Sequence, residues 1–579
     1  MYKKRIKSIQ DYLIKNNIDA FVFFLSDDHG SEYIADAYKC ISFICGFTGS
    51  AGTLLVTKTN SYLWTDGRYF LQASMQLKAS GTTLMKILED ISLVDFIKEN
   101  VSSLAFDFKV ANVSFINSLL NKKPDLRLVD EYKLLDSIWA NRPKLTNKKV
   151  FLLPSKVCLH NSQTKCYKTL KNIKYKGDYS VLLSALDDVA YTLNARGQDI
   201  LFNPVFASFM LLTNINNKHT YTLYINKNKL SNEVKENFKQ NNIIIKPYNK
   251  IYEDVSKLSH KVYFDISKTN YKLFTLMNNK KDKVLYPTLA KSQKNHIEIK
   301  ESKKAHIKDG VAMCKFLYYL NNNVSKGRLT ELSVSKYLEK LRRKQGAFSL
   351  SFNTIAGYKE HGAIIHYSAT SETNKKITND GFLLVDSGGQ YFYGTTDITR
   401  TIAFNNITDE MKKHFTLVLK SHIALSLAIF DTKTLDSTLD LIARKPLWDN
   451  NLDYNHGTGH GVGHMLNVHE GPQSIRFNKV NPIVMKKGMI TSNEPGLYIE
   501  NQYGIRHENE ILCIKVGKDK LGFEPITYVP FDTKAIDKSL LNEKEINWLN
   551  DYHKLVYKKI SKYLTKNERN YLSELTKEI

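Results

Sequence analysis

The chain has 579 residues, of which 42% are hydrophobic and 11% aromatic, and its formal charge is +25. At roughly 100–200 residues per domain, this length predicts three to four domains, and the composition excludes a disordered or fibrous chain. The charge alone points to nucleic acid or an acidic membrane surface. However, the lysines are spread among Asn, Ile and Tyr without an arginine-rich stripe, which is typical of solvated faces. No nucleic-acid or membrane partner is therefore predicted.

The cysteines are scattered and form no C-x-x-C pair, which indicates reduced thiols rather than a disulfide framework. The N-terminus alternates charged and apolar residues, so it has no apolar signal-peptide core. No apolar stretch approaches the ~18 residues needed to span a bilayer. We expect a soluble, cytoplasmic protein. The cysteines are Cys40, Cys45, Cys158, Cys166, Cys314 and Cys513.

The first segment predicts a mixed α/β domain over residues 1–145. Residues 1–17 predict an amphipathic helix and 18–25 a strand. In FICGFTGSAGTLLVTKTNSYLWTDGRYFLQA we expect a strand at FIC, a Gly-rich turn, strands at TLLVT and SYLWT, and then a helix. Pro143 and the polar residues after it mark the first boundary.

The second segment, 146–293, repeats this rhythm. A helix, a buried strand and a helix are followed by strands at ASFMLLT, YTLYI, NIIIKPY and KVYFD. The two segments look like α/β units of similar size, although their residues do not align well enough to establish a repeat. The third segment, 294–579, opens with two helices. It then changes to short strands, interrupted by helices around 408–430 and 434–446, and ends in a helix.

Polar residues in the third segment follow apolar runs. Asp386 ends the buried strand FLLVD, and Asp397 lies in the next strand-like run, TTDITRT. A hairpin would bring the two carboxylates close together, where they repel each other unless a cation or proton lies between them. A lone Asp at a strand end is usually a turn former. The two aspartates therefore indicate a metal site only if further ligands lie nearby.

Such ligands follow in two further motifs. HGTGHGVGH carries His456, His460 and His464, with His469 shortly after, and its glycines permit close backbone approach. This cluster favours a metal or catalytic site over structural histidines.

Glu494 is held extended by the proline that follows it, and Glu508 begins a strand that can face it. Four carboxylates and one imidazole favour hard ions such as Mn²⁺, and two ions about 3.5–4 Å apart can hold a bridging hydroxide. The set Asp386, Asp397, His460, Glu494 and Glu508 therefore predicts a two-metal hydrolytic site.

These residues, in this order, resemble the ligands of the pita-bread metallopeptidases. The motifs HGTGHGVG, LNVHEGP, IIHYSAT, GTTDITRT, NEPG and GIRHEN are similar to those of its long, three-domain aminopeptidase P members. The resemblance extends to WTDGRYFLQA and PITYVPFDTKAID, so it covers essentially the whole chain. It implies two α/β domains of the creatinase/prolidase N-terminal type, followed by a pita-bread catalytic domain with a helical C-terminal extension.

The resemblance also implies an activity, which is hydrolysis of the bond between an N-terminal residue and a following proline by a metal-bridging hydroxide. Asp386 would bind one metal and His460 the other, while Asp397 and Glu508 would bridge. Glu494 would ligate and act as general base or proton shuttle. We expect two divalent ions, Mn²⁺ first, with Zn²⁺ or Co²⁺ as alternatives, and a homodimer.

For the substrate side, the resemblance assigns His366 and His469 to substrate contact and oxyanion stabilisation. His456 would line a proline pocket, Arg506 would orient the site, and Arg68 would lie near its mouth. His464 and His507 depart from the family pattern. Either could be an alternative metal contact, but we expect both to face solvent. Two alternatives stay open. The first is a prolidase, which shares the ligands but prefers dipeptides. The second is a non-catalytic binding protein, which only the positive charge supports.

Overall fold

The computed structural model describes residues 1–579, which divide into two compact units, Met1–Leu289 and Ala290–Ile579. None of the helices is both long enough and apolar enough to cross a membrane.

The N-terminal half of the first unit is built on a six-stranded sheet of order β4-β3-β2-β1-β5-β6. Phe21 and Phe23 of β1 pack on one face with α1 and α2, while Val22 packs on the other face with α4 and α5. Helices thus cover both faces, which explains why the central strand is apolar throughout. The elements are α1 (Tyr2–Lys15), β1 (Ala20–Phe24), α2 (Cys40–Cys45), β2 (Thr53–Thr57), β3 (Ser61–Thr65), α3 (Phe70–Gln76), β4 (Thr83–Lys86), α4 (Leu93–Asn100), β5 (Ser103–Phe106), α5 (Val113–Lys122), β6 (Arg127–Asp130) and α6 (Leu134–Ile138).

The strand predicted at FIC is wrong. This segment belongs to α2, in which Cys40, Ile41, Ile44 and Cys45 are buried at helical spacing. The helix ends at Gly46, whose φ of +87° is left-handed and favours glycine. Tertiary packing of this short apolar run against α1 therefore overrides its strand-like composition.

The second half of the first unit has a six-stranded sheet of order β12-β11-β10-β8-β13-β14. Read along that order, its pairs are parallel, antiparallel, antiparallel, parallel and parallel. The first sheet shows the same succession. The two halves therefore share a topology that their residues alone do not reveal. The elements are β7 (Phe151–Leu152), α7 (Ser162–Lys171), β8 (Tyr179–Leu183), α8 (Leu186–Thr192), β9 (Ala195–Arg196), β10 (Ser208–Ile215), β11 (Lys218–Ile225), α9 (Asn232–Gln240), β12 (Ile243–Lys246), α10 (Lys250–Ser256), β13 (Lys261–Phe264), α11 (Tyr271–Leu276), β14 (Lys280–Asp282) and α12 (Tyr286–Ser292).

The second unit packs short antiparallel sheets around the long helix α13. Val311 and Cys314 of α13 face one core, while Ala312 and Phe316 face another, so this helix is apolar on several sides because it is central. The elements are α13 (His296–Asn323), α14 (Glu331–Lys344), β15 (Ala347–Leu350), β16 (Ile355–Tyr358), β17 (Phe382–Ser387), β18 (Gly389–Tyr391), β19 (Gly394–Thr395), β20 (Ile398–Ala403), α15 (Asp409–Ser426), β21 (Phe430–Asp431), α16 (Asp436–Trp448), β22 (Gly459–His460), β23 (Ser474–Ile475), β24 (Ile490–Asn493), β25 (Gly496–Ile499), β26 (Tyr503–Arg506), β27 (Asn509–Lys515), β28 (Lys520–Pro525), α17 (Glu543–Ile560) and α18 (Lys566–Leu575).

Two sheets of the second unit, β16-β17-β20 and β21-β28-β27-β24, carry the strand ends at which the four predicted carboxylate ligands lie, while His460 lies in β22, which pairs with β23. We propose domain boundaries at 145/146 and 293/294. The two separate six-stranded sheets support a division of the first unit into two domains.

Candidate metal centre

Asp386 and Asp397 reach the site from neighbouring antiparallel strands. Asp386 lies in β17 opposite Thr399 of β20, and Asp397 immediately precedes β20. The chain between them passes through β18, which pairs with β15, and β19, which pairs with β18, so the connection is not the simple hairpin we expected. The strand pairing nevertheless holds both carboxylates on rigid backbone.

Glu494 and Glu508 are positioned by a second pair of strands. Asn493 of β24 lies opposite Asn509 of β27, so Glu494 follows one strand where Glu508 precedes its partner. The Glu494 N–H donates to Thr458 O at 2.8 Å, and the Glu508 N–H donates to Thr399 O at 3.1 Å. The second of these bonds joins the two ligand-bearing sheets.

The glycines around His460 are needed for close approach. A Cβ built on Gly459 would lie 2.0 Å from Ser492 O, and one on Gly461 would lie 2.1 Å from Glu470 O. Ser492 Oγ also accepts a hydrogen bond from the His460 N–H at 2.9 Å. A side chain at Gly459 would push His460 away from the strand that precedes Glu494, and one at Gly461 would push it away from Glu470.

The resulting cluster suits cations. His460 Nδ1 faces Gly461 O at 3.1 Å, so Nδ1 donates and the Nε2 lone pair points at the carboxylates. Nε2 lies 3.5 Å from Asp397 Oδ2 and 3.5 Å from Glu494 Oε1, so one imidazole nitrogen and two carboxylate oxygens converge. Ligand atoms lie within 4.8 Å of one another in three overlapping groups, which are Asp397, His460 and His469; His460, Glu494 and Glu508; and Asp386, Asp397 and Glu508.

Two buried oxygens, Asp386 Oδ1 and Glu508 Oε1, have no hydrogen-bond partner. Such atoms are costly unless a cation or proton satisfies them. Burial, reinforced by the charges of neighbouring carboxylates, raises the pKa of Asp397 and of Glu508 well above the ordinary value. The same causes raise the pKa of Glu494 to about 8. The donor set therefore fits divalent cations, which would remove this repulsion.

A hydrogen-bonded chain links His456 to the ligand Asp386. Arg506 donates to Asp386 Oδ2 at 2.6 Å and to the Tyr498 hydroxyl at 2.7 Å. Tyr498 lies 2.8 Å from His456 Nε2, and His456 Nδ1 lies 2.8 Å from Gly457 O. Since Arg506 only donates, the Tyr498 O–H is available to donate to His456 Nε2. Tyr498 is a member of the site that no motif in the sequence indicated.

Of the other predicted substrate residues, the His469 ring lies 4.4 Å from that of His460, centroid to centroid, and is nearly perpendicular to it. His366 follows Ile365, whose carbonyl oxygen is 3.5 Å from Arg506 Nη2. Arg68 lies in the first unit, where it pairs with Asp66 at 2.8 Å, and its placement near the site stays a prediction.

The expectation that His464 and His507 face solvent is wrong. His464 is buried, with Nδ1 3.2 Å from Ser302 Oγ. His507 is fully buried against the Phe415 ring, and burial together with nearby Arg400 lowers its pKa well below the usual value. Both imidazoles belong to the interior, which the polar character of the motifs did not indicate.

Glu510 is a further residue that the motifs did not indicate. It is buried, its Oε2 lies 3.1 Å from His306 Nε2, and burial together with the charges of Asp397 and Glu508 raises its pKa well above the ordinary value. It therefore lies close enough to two predicted ligands to interact with their charges. A usable signal was present, because residues two apart on a strand share a face and Glu510 follows Glu508 by two.

The chain matches known families along its length. Residues 300–515 match metallopeptidase family M24, and 519–579 match the C-terminal region of that peptidase. Residues 5–138 and 141–298 each match the creatinase/prolidase N-terminal domain. The fold and the site thus define an M24-type metallopeptidase with two creatinase-type N-terminal regions, which confirms the predicted fold class.

Full-length relatives refine this class. A probable Xaa-Pro aminopeptidase P of Botryotinia fuckeliana is 36% identical, over 100% of this chain and 92% of that protein. Aminopeptidase P2 of Arabidopsis thaliana is 35% identical over 94% and 84%. The crystal structure of the X-prolyl aminopeptidase from Caenorhabditis elegans, described as a cytosolic enzyme with a di-nuclear active site, matches with a TM-score of 0.95 and 32% identity over 100% of both chains. This chain belongs to the Xaa-Pro aminopeptidase P family.

Proposed function

We propose that the protein removes the N-terminal residue from peptides in which proline is second. The observation that carries this proposal is the meeting of His460 Nε2 with the carboxylates of Asp397 and Glu494, 3.5 Å from each, in a chain of this family. An X-Pro bond is a tertiary amide without an N–H and ends in a rigid ring, so general peptidases handle it poorly. The relatives named above are X-Pro aminopeptidases, which favours this substrate class.

Two divalent ions complete the site in this proposal. Asp386 and His460 would each hold one ion, Asp397 and Glu508 would bridge them, and Glu494 would complete the set. When bound, the ions supply Lewis acidity and lower the pKa of a water molecule. Mn²⁺ is the favoured ion, because carboxylate oxygens outnumber nitrogens and no thiolate is present.

Other roles in the proposed reaction fall to side chains of the protein: proton transfer, oxyanion stabilisation and substrate binding. The Glu494 side chain is only 18% exposed, and burial together with the nearby Glu508 charge raises its pKa to about 8, so it suits a group that takes and returns a proton near neutral pH. His469 and His366 would donate to the oxyanion that develops on the scissile carbonyl. His456 is hydrogen-bonded to Tyr498 and would line the proline pocket. Arg506 fixes the Asp386 carboxylate through its buried ion pair.

The test uses purified protein with Mn²⁺ and a peptide that begins Arg-Pro-Pro. Release of free arginine is expected, and Asp397→Ala serves as the inactive control. Absence of release with Mn²⁺, Zn²⁺ and Co²⁺ would refute the activity. The prolidase alternative is tested by comparing an X-Pro dipeptide with an X-Pro-Y tripeptide, and faster turnover of the dipeptide would favour it.

We also propose a homodimer. Large apolar side chains are exposed on and near α16, with Trp448 40% and Phe477 48% exposed and their ring centroids 6.3 Å apart. Leu441 and Ile442 of the same helix are exposed as well. Clustered exposed apolar groups are typical of a protein interface. Light scattering should give a dimer mass for the wild type and a monomer mass for Trp448→Glu. A monomeric wild type would refute the dimer.

A cytosolic location is proposed by analogy with the Caenorhabditis elegans enzyme, which is described as cytosolic. Fractionation of cells that express the protein at its natural level tests it, and recovery in a membrane or organelle fraction would contradict it.

A further inference from the structure

The segment 358–375 carries His366 but has little regular structure of its own. A 3-10 helix covers Lys359–Ala363, and the residues after it form only turns and irregular backbone. Several of them, including Ser368 and Glu372, are exposed. A long irregular segment that places a functional side chain needs support from elsewhere, since its backbone forms no ladder.

That support comes from one carboxylate, Glu331, the first residue of α14. Its side chain is fully buried and accepts four hydrogen bonds, all from this segment. Oε1 accepts from the Tyr358 N–H at 2.9 Å and from His361 Nδ1 at 2.8 Å. Oε2 accepts from the Tyr367 hydroxyl at 2.9 Å and from the Lys375 N–H at 2.9 Å. A single side chain thus joins the start, the middle and the end of the segment.

The chemistry of these bonds requires a carboxylate. A buried carboxylate is costly unless donors surround it, and bonds to a charged acceptor are about twice as strong as neutral ones. Both oxygens accept from two donors each. A glutamine at 331 would present an NH₂ group to two of those donors, so half of the bonds would be replaced by repulsive contacts.

The opposite side of the segment rests on the strand that carries Arg506. Gly504 of β26 approaches so closely that a Cβ built on it would lie 1.8 Å from Gly362 O. Arg506 Nη2 lies 3.5 Å from Ile365 O, next to His366. In sequence, His366 therefore lies between His361 and Tyr367, which both hydrogen-bond to Glu331. The backbone of the same segment also contacts β26.

We propose that Glu331 is a positioning residue. It clamps the segment 358–375, and through that clamp it sets where His366 meets the peptide substrate. The role of His366 rests on the proposed function, whereas the clamp itself does not. Peptide affinity and turnover then depend on Glu331, while Mn²⁺ binding does not, because none of its bonds goes to a predicted metal ligand.

Glu331→Gln tests the clamp against Glu339→Gln, a control on the same helix in which an exposed carboxylate pairs with Arg343 at 2.7 Å. Hydrogen exchange should become at least about 10-fold faster in 364–375 for Glu331→Gln only. With an X-Pro-Y peptide, KM should rise by roughly 5-fold or more, with a smaller fall in kcat. The Mn²⁺ affinity should stay within about 2-fold. Partial unfolding lowers the apparent kcat but leaves KM unchanged, so the rise in KM separates positioning from lost stability.

Unchanged exchange in 364–375, or KM within about 2-fold of the wild type, would overturn the proposal. If Glu331→Gln does not fold, the decision falls to Tyr367→Phe, which removes one donor and leaves the carboxylate. Faster local exchange in that variant supports the clamp, and unchanged exchange overturns it. If the wild type lacks X-Pro activity, the proposed function fails, but the exchange experiment still decides whether the clamp exists.

Discussion

The predicted metal ligands and the predicted substrate-facing histidines are built in different ways. Asp386, Asp397, Glu494 and Glu508 lie in or next to paired strands, so backbone ladders fix them. His366 and His456 lie in irregular segments that side-chain hydrogen bonds hold, through Glu331 and Tyr498 respectively. The comparison indicates that the ligand set tolerates little change, whereas the substrate side depends on remote polar partners that can be altered one at a time.

The largest expected effect comes from the ligand set. Asp397→Ala should lower kcat/KM at least about 1,000-fold, because Lewis-acid stabilisation is worth several kcal/mol and each 1.4 kcal/mol is a factor of ten. It should also reduce the number of tightly bound Mn²⁺ ions in calorimetry. Asp449→Ala, which alters an exposed carboxylate paired with Lys445, is the matched control. Full activity of Asp397→Ala would contradict the expectation that the metal ligands matter more for activity than the substrate-facing histidines.

A smaller effect is expected at Arg506, which connects the metal ligand Asp386 to the substrate-side residue Tyr498. Arg506→Lys keeps the charge but loses the planar fork that reaches both Asp386 and Tyr498. Partners that orient metal ligands are typically worth 10–100-fold, so both Mn²⁺ affinity and kcat/KM should fall by roughly that factor. Calorimetry and steady-state kinetics measure the two quantities on the same preparation. A loss of activity with unaltered Mn²⁺ affinity would assign Arg506 to the substrate side alone.

Metal removal probes the ligand set through pH. In the metal-free protein, burial and nearby Glu508 raise the pKa of Glu494 to about 8, so at pH 7 this carboxyl holds a proton that a metal ion must displace. Mn²⁺ binding should therefore release protons and strengthen as pH rises from 6 to 8. Because the folded-state pKa lies above the unfolded one, the metal-free protein should lose stability as pH rises from about 4.5 to 8.

Calorimetry in two buffers of different ionisation enthalpy measures the released protons, and thermal melts with and without Mn²⁺ measure the stability difference. Glu494→Gln is the control, since it should release fewer protons. Equal Mn²⁺ affinity at pH 6 and 8 would contradict the assignment of raised pKa values to the ligand set.

The difference between the two sets also explains what the sequence could predict. The ligands lie at the ends of apolar runs, so strand periodicity and residue type place them in one region. The support of the histidines runs between residues far apart in sequence, such as Glu331 with Tyr367 and Tyr498 with His456, and no local pattern encodes such pairs. The prediction that His464 and His507 face solvent was wrong for a related reason. Burial of a polar side chain depends on neighbours that fold in from other elements, Ser302 and Phe415.

The smallest expected effect tests the substrate side alone. Tyr498→Phe removes the hydroxyl that links Arg506 to His456 but keeps the ring and its packing. His456 then loses the Nε2 partner that Tyr498 supplies, while its Nδ1 contact with Gly457 O remains, so the ring is held less firmly. One neutral hydrogen bond is worth about 1 kcal/mol, which predicts a rise in KM for X-Pro-Y peptides of roughly 5-fold. Mn²⁺ affinity should not change, because Arg506 keeps its bond to Asp386. A loss of Mn²⁺ affinity in Tyr498→Phe would show that the hydrogen bonds from His456 to Asp386 act as one unit. The metal ligands and the substrate-facing histidines would then not be independent.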